Sequence, residues 1–421
     1  MTQKPGVKKG VSQFTRSPRV LVLILGVAGF ISAADNWFVS PALSAIAADI
    51  GISALSAGLI LTAYLLPYGC MQPVFGLISD RIGKVRVLTW ILAGFTIGSG
   101  ACALMGTLQA LVFWRAFTGF FAAGIIAISL ACLGDAIPQE ERQHYVGTFM
   151  GIVFLGQGLS VGIGGLLAEL FSWRVPFILF SGIAIGTLLF IPKIPEPELS
   201  VSHRPVREEL QDIFHHPSSW ILFPLAGASG FLLIGMYSYL GSFLHQVVGL
   251  GYMQIGAVVM FFGFSALLGG TQAGRIGRKI RSRWMIAGGG VIASGSVLLF
   301  AVFPGRETGL VASTGLGLGY ICIQSTVATL VFDITPKSKG LPSALVGLGL
   351  FGGAGIGTAC MGILIGLFGY SGSTMIYATG VFGIILLAFA VPDLNSGENV
   401  ASHDPSNRRD SSNSPNPRKM T

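Results

Sequence analysis

Asp35 and Arg115 stand inside runs of apolar residues long enough to cross a bilayer. A charge at the centre of a lipid core costs about 2.5–3.5 kcal/mol on insertion scales, so each needs a partner. At 1.5 Å per residue, Asp35 lies roughly 22 Å along its run, and Arg115 roughly 8–10 Å into one that enters from the opposite side. In a core of about 30 Å these depths nearly coincide. A carboxylate and a guanidinium so placed can act as a switch: the deprotonated pair holds, and protonation or a bound solute releases it. Ionisable groups at membrane depth are functional by default. The plainer alternative is a structural ion pair that orients two helices.

Asn36, Gln157, Tyr237 and Gln324 are neutral polar groups within the apolar runs, able to hydrogen-bond a solute or a neighbouring helix, as is Tyr239. Asp49, Glu169, His245 and Glu307 fall near the ends of runs, where water reaches them. There is no HExxH, no His/Asp/Glu cluster and no Ser or Cys nucleophile with a His at its depth, which argues against an enzyme. Without a Walker A sequence the chain has no ATP motor of its own. Adjacent His215 and His216 lack a Cys or carboxylate partner, so neither a metal nor another cofactor is expected. No signalling domain is attached, which argues against a sensor.

The elements that must position these groups are apolar helices. Charged residues are 10% and hydrophobic residues 52% of the chain, with mean hydropathy +0.72, against about 25% charged in a soluble domain. Windows of about 20 apolar residues fall at 19–47, 54–78, 87–106, 109–132, 144–168, 174–192, 219–247, 253–273, 284–303, 307–332, 341–367 and 371–391. All but Arg115, Arg174 and Arg306 of the 26 Lys and Arg residues lie on one side of these windows. The positive-inside rule makes that side, with both termini, cytoplasmic. The formal charge of +8 is spread over short loops that set orientation and meet anionic lipid, so it does not imply nucleic acid. The basic start and Val20–Phe30 look like a signal peptide, but eleven further windows make an uncleaved first helix the better reading. No cysteine lies in an external loop, so no disulfide framework is implied. No Asn-x-Ser/Thr acceptor occurs, which fits a bacterial inner-membrane protein.

Two echoes divide the chain. Gly76-Leu-Ile-Ser-Asp80-Arg81-Ile-Gly83-Lys84 returns as Gly270-Thr-Gln-Ala-Gly274-Arg275-Ile-Gly277-Arg278, and Asp135-Ala-Ile-Pro138 as Asp333-Ile-Thr-Pro336. Parallel repeats of six helices, related by an axis along the membrane normal, follow. The expected organisation is a six-helix bundle over 1–192, a cytoplasmic linker over 193–218, a second bundle over 219–391 and a disordered tail over 392–421. Within the linker Val206, Leu210, Ile213 and Phe214 fall on one helical face.

The stretch from Gly76 to Arg86 (GLISDRIGKVR) resembles the loop 2–3 motif of the major facilitator superfamily. Arg115-Ala-Phe-Thr-Gly119 resembles the Arg-containing motif of its drug:proton antiporter branch, and Asp35-Asn36-Trp37 with Ser40-Pro41-Ala42-Leu43 the first-span pattern of twelve-span exporters. Trp173-Arg174-Val175-Pro176-Phe177 is similar to the same superfamily. Ser160-Val161 stands where antiporters carry Gly-Pro, and Gly274 where the first half has Asp80.

The resemblance implies an all-α membrane protein, with twelve helices in two pseudo-symmetric bundles around a central cavity lined by the first and fourth crossings. It implies alternating access, with Gly76, Asp80, Arg81, Gly83, Lys84 and Arg86 as a gate. Asp80, at a helix C-terminus where the macrodipole disfavours an anion, would be held by Arg81, Arg86 or the N-terminus of the eleventh helix. The expected function is proton-coupled export of a small amphipathic solute by a monomer in the lipid bilayer, with Asp35 and Arg115 coupling the proton across a solvent-filled cleft. Proton-coupled or passive uptake of a sugar or organic acid is the alternative, for which the missing Gly-Pro argues.

Overall fold

The protein is seen in a computed structural model that describes residues 17–196, 205–277, 280–334 and 340–390. The N-terminal arm before them and the tail expected to be disordered fall outside. Helix is the regular structure throughout the described residues, as lipid requires: without water, backbone groups must be paired within the segment.

The first apolar run is α1 (Pro18–Trp37) and α2 (Val39–Ile50), meeting at Phe38. Then come α3 (Ala54–Ile82), α4 (Lys84–Leu104) and α5 (Leu108–Ala136), α6 (Gln139–Leu170) and α7 (Arg174–Lys193). A short helix, α8 (Val206–His215), packs Ile213 inward and leads on. The second bundle holds α9 (Ser219–Gln246), α10 (Tyr252–Gln272) and α11 (Ser282–Val302), α12 (Arg306–Ile334) and α13 (Gly340–Phe389). Eleven helices are long and apolar enough to cross a bilayer. In α13, Gly369 at φ 69° and ψ 178° interrupts the helical path, a backbone that glycine alone adopts freely. The break falls between the eleventh and twelfth windows, so α13 supplies two crossings and twelve result.

Apolar side chains such as Ile97, Phe113, Ile363 and Leu386 are exposed on the outer faces, where lipid would cover them. Lipid is as apolar as leucine, so helices associate through close packing at small residues. The seam between the bundles is built that way. Gly69 faces the backbone of Gly352, Gly263 that of Gly158, and Gly165 that of Gly256, leaving no room for a Cβ. The central crossings are also irregular there: α9 contains a π turn at Gly230–Ile234 and a break at Tyr239, and the first crossing breaks at Phe38. Ser40 and Ser44 meet Ser238 and Ser242, in each case 198 residues later. Equivalent positions of the two repeats therefore touch across their common axis.

Candidate functional site

The two deep charges meet. Asp35, on the last turn of α1, takes Arg115 Nη1 on Oδ2 at 2.5 Å and Ser99 Oγ on Oδ1 at 2.6 Å. The Arg115 guanidinium carbon lies 4.1 Å from the centre of the Tyr64 ring and 5.7 Å from that of Phe177. The pair does not face a solvent-filled cleft, as the sequence led us to expect. Both side chains are 0% exposed, enclosed by α3, α4 and α7 inside the first bundle. The reason is valence: one guanidinium leaves a carboxylate oxygen free, and the Ser99 hydroxyl completes it, which draws Asp35 away from the seam. Arg115 Nε and Nη2 have no hydrogen-bond partner among the described residues, and the π faces of Tyr64 and Phe177 compensate in part. A buried pair left incomplete in this way is held by geometry more than by net energy.

At the seam, next in sequence to Asp35, a different site forms. Trp37 packs edge-on to Tyr237 with centroids 4.7 Å apart and stacks on Phe262 at 4.9 Å. Tyr237 and Phe262 are 4.4 Å apart, and Phe262 reaches Tyr320 at 5.6 Å. Four crossings from both bundles thus meet in one aromatic cluster. Of the four neutral residues singled out by sequence, Tyr237 belongs to it. Gln157 is beside Gly158, which packs on Gly263 and Phe264 next to the cluster. Tyr237 Oη and Gln157 Nε2 are buried without a partner among the described residues. Asn36 is buried and stands in the chain between Asp35 and Trp37. Gln324 is placed otherwise: its amide donates to Ser229 Oγ at 2.5 Å within the second bundle, leaving that donor engaged. Sequence reasoning missed Ser99, Trp37, Phe262 and Tyr320. Ser99 alone had a signal, a hydroxyl between two glycines in an apolar run.

The loop 2–3 motif is assembled around Lys84. Its Nζ lies 2.6 Å from Asp135 Oδ2 and 3.5 Å from Asp80 Oδ1, with the side chain only 8% exposed. Arg81 and Arg86, expected to hold Asp80, are exposed instead; Lys84, four residues on, has the reach. Gly83 sits at φ 117°. Glu196, from the connection after α7, accepts the Val85 and Arg86 amides at 3.0 and 3.1 Å, capping the positive end of α4. Its carboxylate occupies the place where a Cβ on residue 83 would project, whereas Gly76 has open space around it. Each of these contacts stays within the first bundle and its connection; the echo's Gly274, Arg275 and Arg278 lie outside the residues whose side chains are described.

The opposite side is closed across the seam. Ser40 Oγ reaches the Tyr237 carbonyl at 3.1 Å, and Tyr239 Oη donates to the Leu55 carbonyl at 3.3 Å. Glu169, at the end of α6, accepts the Met253 amide at 2.7 Å and caps α10 from the other bundle. Asp49 and Glu169, expected to be merely hydrated, are thus engaged. Asp49 lies 2.7 Å from Arg174 Nη1 and accepts from Trp173 Nε1 at 3.1 Å. The Arg174 bond, with help from Trp173, holds the Asp49 carboxyl below the ordinary carboxylate range. Tyr239 therefore serves this closure.

The family model described as Major Facilitator Superfamily matches residues 25–340. The chain is 24% identical over 352 residues to the uncharacterized MFS-type transporter YceJ of Bacillus subtilis (strain 168), covering 80% of this chain and 86% of that one. It is 29% identical over 185 residues to Multidrug resistance protein 3 of the same organism, covering 44% of this chain but 35% of the relative. The structure superimposes on that of a bacterial homolog of the human lysosomal transporter Spinster, inward-facing and occupied. The TM-score is 0.75 at 18% identity, covering 90% of this chain and 97% of the other.

Proposed function

The chain belongs to the Major Facilitator Superfamily, and from that premise we propose that it exports a small amphipathic solute in exchange for protons by alternating access. Membership makes it a multi-pass membrane transporter of small molecules and not an enzyme. The proposal adds coupling, direction and orientation.

One observation carries the coupling: a fully buried Asp35–Arg115 pair within an apolar bundle, touching a seam residue through the chain itself, since Trp37 is two residues from Asp35. Deprotonated Asp35 balances Arg115. A proton on the carboxylate leaves the guanidinium uncompensated in low dielectric, where charge interactions are several-fold stronger than in water. The contact that ties α1 to α5 through Asp35 and Arg115 is then weakened, and α1 is released. Movement of α1 shifts Trp37 and the serine contacts with α9, opening the closed side. Asp80, Arg81, Gly83, Lys84 and Arg86, with Gly76, act as the gate on the basic side. Asn36, Gln157 and Tyr237 contact the solute, with Gln324 supporting the wall through Ser229.

The basic side is cytoplasmic by the positive-inside rule, placing the protein in a bacterial inner membrane with both termini inside. It works as a monomer of two halves, 1–192 and 219–391, joined by 193–218. Relatives named for multidrug resistance support export. Uptake of a nutrient is the second reading, favoured by one feature: α6 runs unbroken from Gln139 to Leu170, without the Gly-Pro of antiporters.

The test is transport into proteoliposomes under an imposed pH gradient, with dyes, antibiotics and sugars as solutes. We expect gradient-driven movement of an amphipathic compound that Asp35→Asn abolishes. Undiminished gradient-driven transport by Asp35→Asn excludes that carboxyl as the proton carrier.

A further inference from the structure

We infer that the seam site selects a planar, uncharged aromatic solute that carries a hydrogen-bond acceptor. The inference deepens the transport reading, on which it rests for the solute's passage but not for its binding.

Three observations carry it. Trp37, Tyr237, Phe262 and Tyr320 come from four crossings in both bundles and form a continuous run of rings with centroid spacings of 4.4 to 5.6 Å. Such rings favour an inserted π system through offset and edge-on contacts. Their present contacts with each other are the closed arrangement, and separation of the bundles parts Trp37 of the first half from the three rings of the second.

The second observation is polarity. Tyr237 is 2% and Gln157 5% exposed, yet Tyr237 Oη and Gln157 Nε2 are without a partner among the described residues. A buried polar group left unpaired costs about 1–3 kcal/mol, so both are supplied with a reason to bind. Each can donate a hydrogen, and a carbonyl oxygen on the solute, with two lone pairs, can accept from both.

The third is charge. The membrane-depth ions Asp35 and Arg115 neutralise each other inside the first bundle and are both 0% exposed. The rings therefore meet a solute with no counter-charge available. A lipophilic cation could use the ring faces, but it leaves the two donors facing a positive group. A neutral acceptor uses rings and donors together.

Binding of three probes to the purified full chain in detergent tests this, followed by quenching of tryptophan fluorescence and by calorimetry. Acridone is planar, neutral and has a carbonyl; anthracene has the shape without the acceptor; ethidium is a planar cation. Acridone should bind at least tenfold more tightly than either of the others. Tyr237→Phe and Gln157→Leu should each weaken acridone about three- to tenfold, the size of one hydrogen bond, and leave anthracene unchanged. Tyr237→Phe removes a single oxygen from a packed ring, so loss of fold does not confuse that arm. Ethidium binding as tightly as acridone, or equal acridone affinity in wild type and both variants, overturns the inference. The two readings separate cleanly. Acridone bound but unmoved by a pH gradient defeats proton-coupled export alone, and gradient-driven ethidium transport without acridone binding defeats the solute class alone.

Discussion

Where the first bundle buries Asp35 against Arg115, the second bundle, 198 residues later, buries Leu233 and Ser313. Both replacements are neutral and fully buried. The second bundle holds its core polarity in hydroxyls, amides and backbone. Ser238 meets Thr358 at 2.9 Å, Tyr377 donates to the Gly357 carbonyl, and Ser294 to that of Ala378 at 2.8 Å. A repeat thus preserves the path of the chain while a few side chains decide which half can change its charge. The seam follows the repeat, with serine meeting serine at the 198-residue offset, because packing on a shared axis needs only matching small groups. The ion pair has no such need, and Leu233 and Ser313 stand in its place in the second half.

Breaking the asymmetry at its source should have the largest effect. Asp35→Leu leaves Arg115 buried without its carboxylate and should cost about 3–5 kcal/mol, seen as a lower midpoint of thermal unfolding in detergent. The double change Asp35→Leu with Arg115→Leu should recover most of that loss while proton coupling stays absent. Equal instability of the single and double variants would show that the pair is not the interaction concerned. A weaker break is Lys84→Met, which frees Asp80 and Asp135 at once. A loss of about 1–3 kcal/mol is expected, since the amine is nearly buried and hydrogen-bonded. A thermal midpoint matching wild type would mean that the contact is surface decoration.

Smaller changes sharpen the view of the seam. Glu169→Gln replaces a charged cap on α10 by a neutral one, worth about 1 kcal/mol or less. Spin labels at positions 48 and 246, both lining the shallow recess of about 420 Å³ at this end, should then report a several-fold rise in the longer distance. The smallest effect concerns Asp49. Its carboxyl is held low by Arg174 and Trp173, so the contribution is present above the ordinary carboxylate pKa and fades as pH falls through the lowered one. Asp49 is 46% exposed as a side chain, which limits the term to below about 1 kcal/mol. Arg174→Gln should flatten that part of the stability–pH curve, and an unchanged curve removes the assignment.

Much of the architecture was legible because membrane segments advertise themselves. Twenty apolar residues, basic loops on alternate connections and an internal echo each reflect a local physical cost, so no contact had to be known. Asp35 and Arg115 were legible for the same reason: a charge in an apolar run is costly wherever it stands, and counting rise per residue set both at one depth. What the chain alone did not disclose were partners chosen by three-dimensional reach. Lys84 displaced Arg81 and Arg86 as the holder of Asp80, and Glu196 entered as a cap from more than a hundred residues away. Ser99 turned the ion pair into the first bundle and away from the seam, because hydrogen bonds are satisfied by direction and not by depth. The sequence by itself determined the crossings, the side that carries the positive charge and the depth of the two ions. Tertiary structure decided that the ions are sealed from water, that four aromatic rings share the seam, and that the closed side is the one opposite the basic loops. Hydropathy and charge act through the solvent around each segment, whereas packing and hydrogen-bond geometry exist only between segments already brought together.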